Sequence, residues 1–575
     1  MIRRAALALT ILSGGLAPAL AADAPKLPGH WQLVIIDLNE TPLFAFEAKA
    51  EGTGLAATIS DPGNMGPNLK LGKAAASPAG LALDFSLGGT DAKYTTASAP
   101  EADSLLGTMT FRGRVYPVRL EKIDGEKIVP LPEGRTLSTM YMAAMRDREP
   151  AGKLAKLKAI VGEGGPTSPK TGMVDEALHK ALVATKAPEA EVKAHADRWV
   201  AAAKPYGEPL TVQVLGQVYE GLKGKAGYEA MAKETGATYG PIAFSAAVAA
   251  DKALAAEATA ELKVAAASKL LAAARIVGNS EIVAATEARI AKLDAVLDAE
   301  YHAKVPPFKP APAAARKSGS TQVALMELFT GAQCPPCVAA DVGFDALISS
   351  YKPTELITLQ YHLHIPGPDP LTNGDSEDRQ KYYGSEIGGT PSTFFNGKSA
   401  AGGGGGMGGS EGKFNEYRKL IDPLTEGKAT AKVDLSAKLD GDTIKVSAVA
   451  EAKTGEKSKP YLRLALIEEQ VKYVGGNGLR YHHHVVRKFI GGAAGKALAD
   501  GTVKVEETLT LADVRKFQNA SIAEFEAKSA FPNPLPPIEL KGLSVVAFVQ
   551  DDADKSILQA AQVELDKPAA SKAHP

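Results

Sequence analysis

The stretch FTGAQCPPCVAAD, residues 329–341, holds both cysteines of the 575-residue chain, Cys334 and Cys337. It follows QVALMELF (322–329), a mostly apolar run of strand length. After it, Phe344, Leu347, Ile348 and Tyr351 share one face of a helix expected over 338–351. The pair therefore falls where a strand ends and a helix begins. Backbone N–H groups and the helix dipole favour negative charge there, which stabilises a thiolate at Cys334. A thiolate is the attacking form in disulfide exchange. Cys337, one turn further in and more covered, is placed to attack a mixed disulfide and release the product. Pro335 and Pro336 remove N–H groups from the first turn, where they lack an intrahelical partner, and stiffen the ring between the sulfurs. A bridge this short restrains the unfolded chain little, so the pair suits chemistry better than stapling.

Around this stretch, residues 321–425 alternate strand and helix. Further strands are expected at 356–365 and 392–395, with Asn396-Gly397 as a hairpin turn and a helix at 413–421. The glycine run 402–406 lacks the Lys-Ser/Thr of a phosphate cradle and is expected as a loop. Upstream, VPPFKPAPAAARKSGS places a Pro-rich linker at 304–320.

Residues 150–303 have a helical composition of Ala, Lys, Glu and Leu, with Ile282, Ile290, Leu293 and Leu297 on one face. They are expected as a spacer or docking scaffold. Residues 28–123 show the two-residue period of strands at Trp31, Leu33 and Ile35 and at Leu81, Leu83, Phe85 and Leu87; FRGRV (111–115) suits a hairpin turn. A small β-sandwich or barrel is expected there. From 430 to 567 the pattern is β again, closing with a hairpin around residues 551–554, and a second β-sandwich is the natural reading. The expected fold is thus multidomain α+β.

The start, MIRRAALALTILSGGLAPALAADAP, has the basic head, apolar run and small-residue cleavage site of a signal peptide over 1–21. No later run reaches the roughly 18 apolar residues of a membrane span. A periplasmic or secreted protein is expected, without membrane insertion after signal removal. Lys+Arg 65 against Asp+Glu 66 recommends neither nucleic acid nor an acidic membrane as partner.

A strand–CxxC–helix unit followed by Gly389-Thr390-Pro391 resembles the thioredoxin superfamily over residues 321–425. The resemblance implies a thioredoxin-like α/β domain with Cys334 as nucleophile and Cys337 as resolver. Pro391 matches the family's cis-proline facing the cysteines, and Thr390 the residue whose backbone meets substrate, beside Pro335 and Pro336. Gln333 stands where thioredoxins carry tryptophan. Glu327 is the candidate for the buried acid that takes the Cys337 proton, with Leu328 competing for that slot, since one residue of slip turns a strand side chain to the other face. The flank ELFTGAQCPPC and the ending FVQDDADKSILQAAQV are similar to secreted bacterial proteins that join such a domain to a β-sandwich.

The implied function is an exported thiol-disulfide oxidoreductase that needs no cofactor. It would act on protein or small-molecule thiols and disulfides and, having no third cysteine, depend on an external redox partner. One alternative is a non-enzymatic interaction or scaffold protein with a structural Cys334–Cys337 disulfide. The other is a copper- or zinc-binding relative in which His362 and His364, expected on one strand face, would add imidazole to the two thiolates. Haem attachment fails because Val338 follows Cys337. Tyr481-His482-His483-His484 is expected in surface or inter-domain packing.

Overall fold

The computed structural model describes residues 27–565 except 39, 52–53, 78–79, 88–89, 98–103, 112–113, 131–134, 148, 165–171, 318, 454, 528 and 530. The expected signal peptide lies outside the described residues, as do Arg112 and Gly113 of the expected turn and the last two positions of the expected sandwich. The chain divides into two compact units, Met1–Leu293 and Asp294–Pro575.

In the first unit the described residues contain eight antiparallel strands in one sheet, from Gly29–Ile35 to Arg114–Ile123. The first strand pairs with both the second and the last, which leaves the third (Gly54–Asp61) and fourth (Leu69–Ser77) as edges of a near-barrel. The alternation seen in sequence is the inward face: Trp31, Leu33, Phe44, Leu81, Leu83 and Phe85 fill the interior. Trp31 keeps its indole satisfied by donating to the Leu27 carbonyl at 2.8 Å. Val34 points the other way and joins Trp199 and Leu210 in a helical core. The helices begin at Arg135–Arg146, before the expected residue 150, and run to Ser280–Lys304.

The second unit is α+β. Its elements are β1 (Ala324–Thr330), α1 (Cys337–Ser350), β2 (Leu356–His362), α2 (Gly374–Tyr383), β3 (Ser392–Phe395), β4 (Lys398–Ser399) and α3 (Ser410–Thr425). There follow β5 (Ala431–Asp440), β6 (Thr443–Ala452), β7 (Pro460–Lys472), β8 (Tyr481–Ile490), β9 (Lys496–Ala497), β10 (Thr502–Thr510), α4 (Leu511–Glu526), β11 (Leu543–Asp551) and β12 (Ile557–Glu564). Among the described residues, nine strands form one sheet in the order β4-β3-β1-β2-β8-β7-β11-β12, with β9 against β7. β1 and β2 are parallel, with α1 as their crossover, and β3 runs antiparallel to β1.

The expected C-terminal sandwich is therefore not a separate layer pair. β2 pairs in parallel with β8 at Gln360 and Val485, so one sheet continues through both regions. The sandwich exists at its far end, where β5, β6 and β10 form a second sheet over β7 and β11. Ile444, Val446, Leu464, Leu466, Val545 and Ala547 fill the space between. The helix α4, in a region expected to be β, starts at a Thr510 cap whose hydroxyl accepts the Asp513 N–H at 3.0 Å.

The two faces of β1 have different partners. Ala324, Met326 and Leu328 pack with Phe344, Leu347 and Phe414 of α1 and α3. Leu325 and Phe329 pack with Tyr383 and Phe394 on the other face. α1 is buried nearly all round, which explains its lack of a polar stripe. Gly343 lets α3 close on it, since a Cβ there would lie 3.1 Å from the Phe414 nitrogen. The Pro-rich stretch runs along these helices as a strap at 308–313. Its Ala313 N–H donates to the Ser350 carbonyl at 2.9 Å, Phe308 lies against Phe414 at 5.4 Å, and Arg418 donates to the Ala311 and Pro312 carbonyls.

Candidate functional site

β1 delivers the chain to Gly331, where a Cβ would fall 2.4 Å from the Ile365 carbonyl oxygen. The turn that follows is held by Cys334 N–H to the Gly331 carbonyl at 2.9 Å and Cys337 N–H to the Cys334 carbonyl at 3.1 Å. Cys334 and Cys337 are disulfide-bonded, Cα to Cα 5.3 Å, with Cys337 opening α1. Pro335 and Pro336 are exposed. The sulfur residues beside them are not: Cys334 is 1% exposed and Cys337 0%.

Thr390 and Pro391 lie beside the pair. The peptide joining them is cis, and the Thr390 carbonyl oxygen is 3.5 Å from Cys334 Sγ. Two glycine loops cover the remaining sides. At 402–406, Gly405 N–H donates to the Pro336 carbonyl at 2.6 Å, and the Gly405 carbonyl accepts Ala339 N–H at 2.9 Å. A Cβ on Gly404 would meet the Pro336 oxygen at 1.9 Å, so only glycine fits this close approach. At 475–478, Asn477 N–H donates to the Ala332 carbonyl at 3.0 Å, and Gly476 N–H to Gln333 Oε1 at 2.9 Å. Gln333 thus ties a loop down instead of presenting a ring.

Glu327 does not serve Cys337. Its carboxylate accepts Arg379 Nε at 2.7 Å, Arg379 Nη2 at 3.0 Å and the Tyr383 hydroxyl at 2.5 Å. Those partners belong to α2, on the sheet face away from α1. The one-residue alternation of β1 gives Leu328, not Glu327, to the α1 side.

The acid on the α1 side is Asp341, one turn after Cys337. It hydrogen-bonds the Thr330 hydroxyl at 2.9 Å and accepts Gln360 Nε2 at 3.0 Å. Burial, and then the neighbouring Asp345 carboxylate, hold its carboxyl well above the ordinary carboxylate range. Gln360 Oε1 in turn meets His362 Nε2 at 3.1 Å, and His362 Nδ1 meets Asp369 Oδ2 at 2.7 Å. Asp369 also accepts Ala332 N–H at 2.6 Å. Burial would raise its carboxyl, but the His362 charge and these hydrogen bonds outweigh that and lower it. Sequence reading passed over Asp341, although an acid four residues after Cys337, in a mostly apolar helix whose other acid is Asp345, is a visible signal.

The histidines are occupied elsewhere. His362 is buried in that chain of bonds, while His364 lies beyond the end of β2, stacked on Phe525 at 3.7 Å. His482 is buried edge-on to His362 at 4.7 Å, and His483 reaches Asp345 at 3.0 Å. His484 has φ of 49° and turns to Thr358 at 2.7 Å, which breaks the strand alternation. Among the described residues no group of three His, Cys, Asp or Glu side chains is disposed to hold a metal ion. No helix among them is long and apolar enough to cross a membrane.

No family model matches the chain, and no curated protein does. Among solved structures it is similar to HBP35 of Porphyromonas gingivalis, with 17% identity and a TM-score of 0.32 over 45% of this chain and 80% of that one. It is also similar to Pseudomonas fluorescens alkylpurine DNA glycosylase AlkC bound to DNA containing an abasic site analog. There the identity is 12% and the TM-score 0.17, over 76% of this chain and 84% of the other. Likenesses this low carry no argument about fold or function.

Proposed function

We propose that the protein is an exported thiol-disulfide oxidoreductase, with residues 321–425 as a thioredoxin-like domain. Cys334 attacks, Cys337 resolves, and Thr390 offers its backbone to the substrate. The observation that carries this reading is the bonded pair at a strand–helix junction, with the Thr390 carbonyl 3.5 Å from Cys334 Sγ. The β4-β3-β1-β2 order, with parallel β1 and β2 bridged by α1, supports it. The partners are protein or small-molecule thiols and disulfides, with an external redox partner to recycle the pair.

The 1% exposure of Cys334 favours a second reading, a local structural bridge inside an interaction protein. One experiment decides between them. Cys337→Ser, expressed in an oxidising periplasm, is expected to accumulate reductant-sensitive adducts through Cys334. Cys334→Ser is expected to accumulate none, because the remaining thiol is the resolving one and Thr390 lies beside Cys334. Absence of adducts from both variants, with equal slow labelling of both thiols, would leave the structural bridge.

A further inference from the structure

The turn between β7 and β8, residues 473–480, holds the three residues that lead into Cys334. Asn477 N–H donates to the Ala332 carbonyl at 3.0 Å, and Asn477 Nδ2 to the Gly331 carbonyl at 3.4 Å. Gly476 N–H donates to Gln333 Oε1 at 2.9 Å. The Gly331 carbonyl also accepts Cys334 N–H at 2.9 Å, so the turn and Cys334 share one acceptor.

Both flanks of this turn are basic, and both reach one helix. Lys472 and Arg480 meet the helix Ser280–Lys304, whose residues from Asp294 onward belong to the second unit. Lys472 Nζ donates to Asp294 and, at 2.5 Å, to Asp298. Arg480 Nη2 donates to Asp294, and Arg480 Nε to Asp298 at 2.9 Å. Asp294 and Asp298 stand four residues apart on that helix, a spacing at which like charges repel. The two cations offset that repulsion only while the turn stays in place. Leu479 adds an apolar anchor, packed with Val338 and Val342 of α1 and with Tyr301 of the same helix. The four charged side chains are 10–37% exposed, so dissolved salt reaches them.

We propose that Asp294 and Asp298 are positioning residues for disulfide exchange. Through Lys472 and Arg480 they seat the β7–β8 turn on residues 331–333 and so limit the entry of thiols to Cys334. This rests on the thiol-disulfide reading above, and it gives the end of the long helix a part in exchange beyond that of a spacer. An attacking thiolate bonds to Cys334 Sγ as the Cys334–Cys337 bond breaks, and the electron pair of that bond leaves on Cys337 Sγ. Cys334 is 1% exposed, so a neighbouring segment has to move before the thiolate arrives. The aspartates set how readily the β7–β8 turn does so.

The test follows opening of the disulfide in the full chain by dithiothreitol, with rates expressed per reductant thiolate. Asp294→Asn with Asp298→Asn is expected to raise the rate roughly 10-fold at about 0.01 M salt, where charges are screened least. The unaltered protein is expected to speed up as salt rises to about 1 M, and the Asp294→Asn, Asp298→Asn protein to lose that rise. Lys472→Met with Arg480→Met is expected to give the same gain. All four changes together are expected to give no more than either pair, because both pairs break one set of contacts. Glu300→Gln, which breaks the ion pair with Lys304 on the same helix, is expected to leave the rate unchanged. Rates and salt profiles of the aspartate variant equal to the unaltered protein's would overturn the proposal, as would an equal gain in Glu300→Gln. If the variants do not fold, the unaltered protein decides, since a rate that does not rise with salt overturns the proposal. Equal, measurable opening in every protein would leave the thiol-disulfide reading standing, whereas a disulfide that dithiothreitol opens in none of them would overturn both.

Discussion

Glu327 and Arg379 meet as a two-pronged ion pair in which the side chains are 0% and 1% exposed. The guanidinium is also enclosed by the rings of Tyr382, Tyr383 and Phe548 at 4.6, 4.8 and 5.3 Å. Two charges this deep cost desolvation energy that their mutual attraction offsets only while both are present. Arg379→Met strands a buried carboxylate and is expected to cost about 3–5 kcal/mol. Urea midpoints measure this. The double variant Glu327→Leu with Arg379→Met is expected to recover most of the loss. Disulfide exchange per folded molecule is expected to stay unchanged in both, because the pair lies on the sheet face away from α1. A milder loss for the single variant than for the double would refute the account.

His482 makes stability depend on pH. Burial, and then the neighbouring His362, push it from 6.5 down to about 3. Burial, and then His483, push His484 down to about 4. The folded state therefore holds both neutral, while the unfolded chain takes up protons near pH 6.5. Folded molecules bind fewer protons in that window, so the stability present above 6.5 is lost as pH falls toward the folded values. The slope is about 1.4 kcal/mol per pH unit for each group. His482→Gln is expected to lower the slope by about 1.4 kcal/mol per pH unit between about pH 6 and 4 in denaturant midpoints taken at each pH. An unaltered slope would contradict the assignment.

What the sequence made legible is whatever depends on near neighbours. The alternation at Trp31, Leu33 and Ile35 and at Leu81 to Phe85 is the barrel's inward face, because that period survives wherever one side of a strand is buried. Asn396-Gly397 joins β3 to β4 with φ of 46° and 80°, the left-handed pair that such a turn demands. The shared sheet was not legible, because the Gln360–Val485 pairing spans more than a hundred residues and leaves no local mark. Glu327 was misplaced for another reason. Its strand is buried on both faces, so hydrophobicity gives no parity signal and only the Arg379 partner reveals the direction. α4 had a readable signature, Thr510-Leu-Ala-Asp513, in which cap and acid bond reciprocally at 3.0 and 2.7 Å.

The glycine loop at 402–406 lies against the Cys334–Cys337 turn, bonded to Pro336 and Ala339, and is expected to limit access to Cys334. Two backbone bonds, to Pro336 and Ala339, hold it beside the turn, and its lack of side chains is what lets it lie so close. Gly404 has no left-handed φ, so alanine suits its backbone. The obstacle is steric alone, with Cβ 1.9 Å from the Pro336 oxygen and 3.0 Å from Pro391 Cγ. Gly404→Ala is therefore expected to lift the loop and break both bonds. At about 0.5–1.5 kcal/mol for each bond, the uncovered form gains on the order of 10-fold in population. The disulfide is then expected to open about 10-fold faster with dithiothreitol while the global urea midpoint moves little. Gly475→Ala, whose Cβ would fall 2.2 Å from the Ala332 oxygen, is expected to act in the same sense from the other side. Gly408→Ala is the control, since a Cβ there meets nothing within 4 Å. Equal rates in Gly404→Ala and Gly408→Ala would mean that the loop does not limit access, and that attack on Cys334 follows another path.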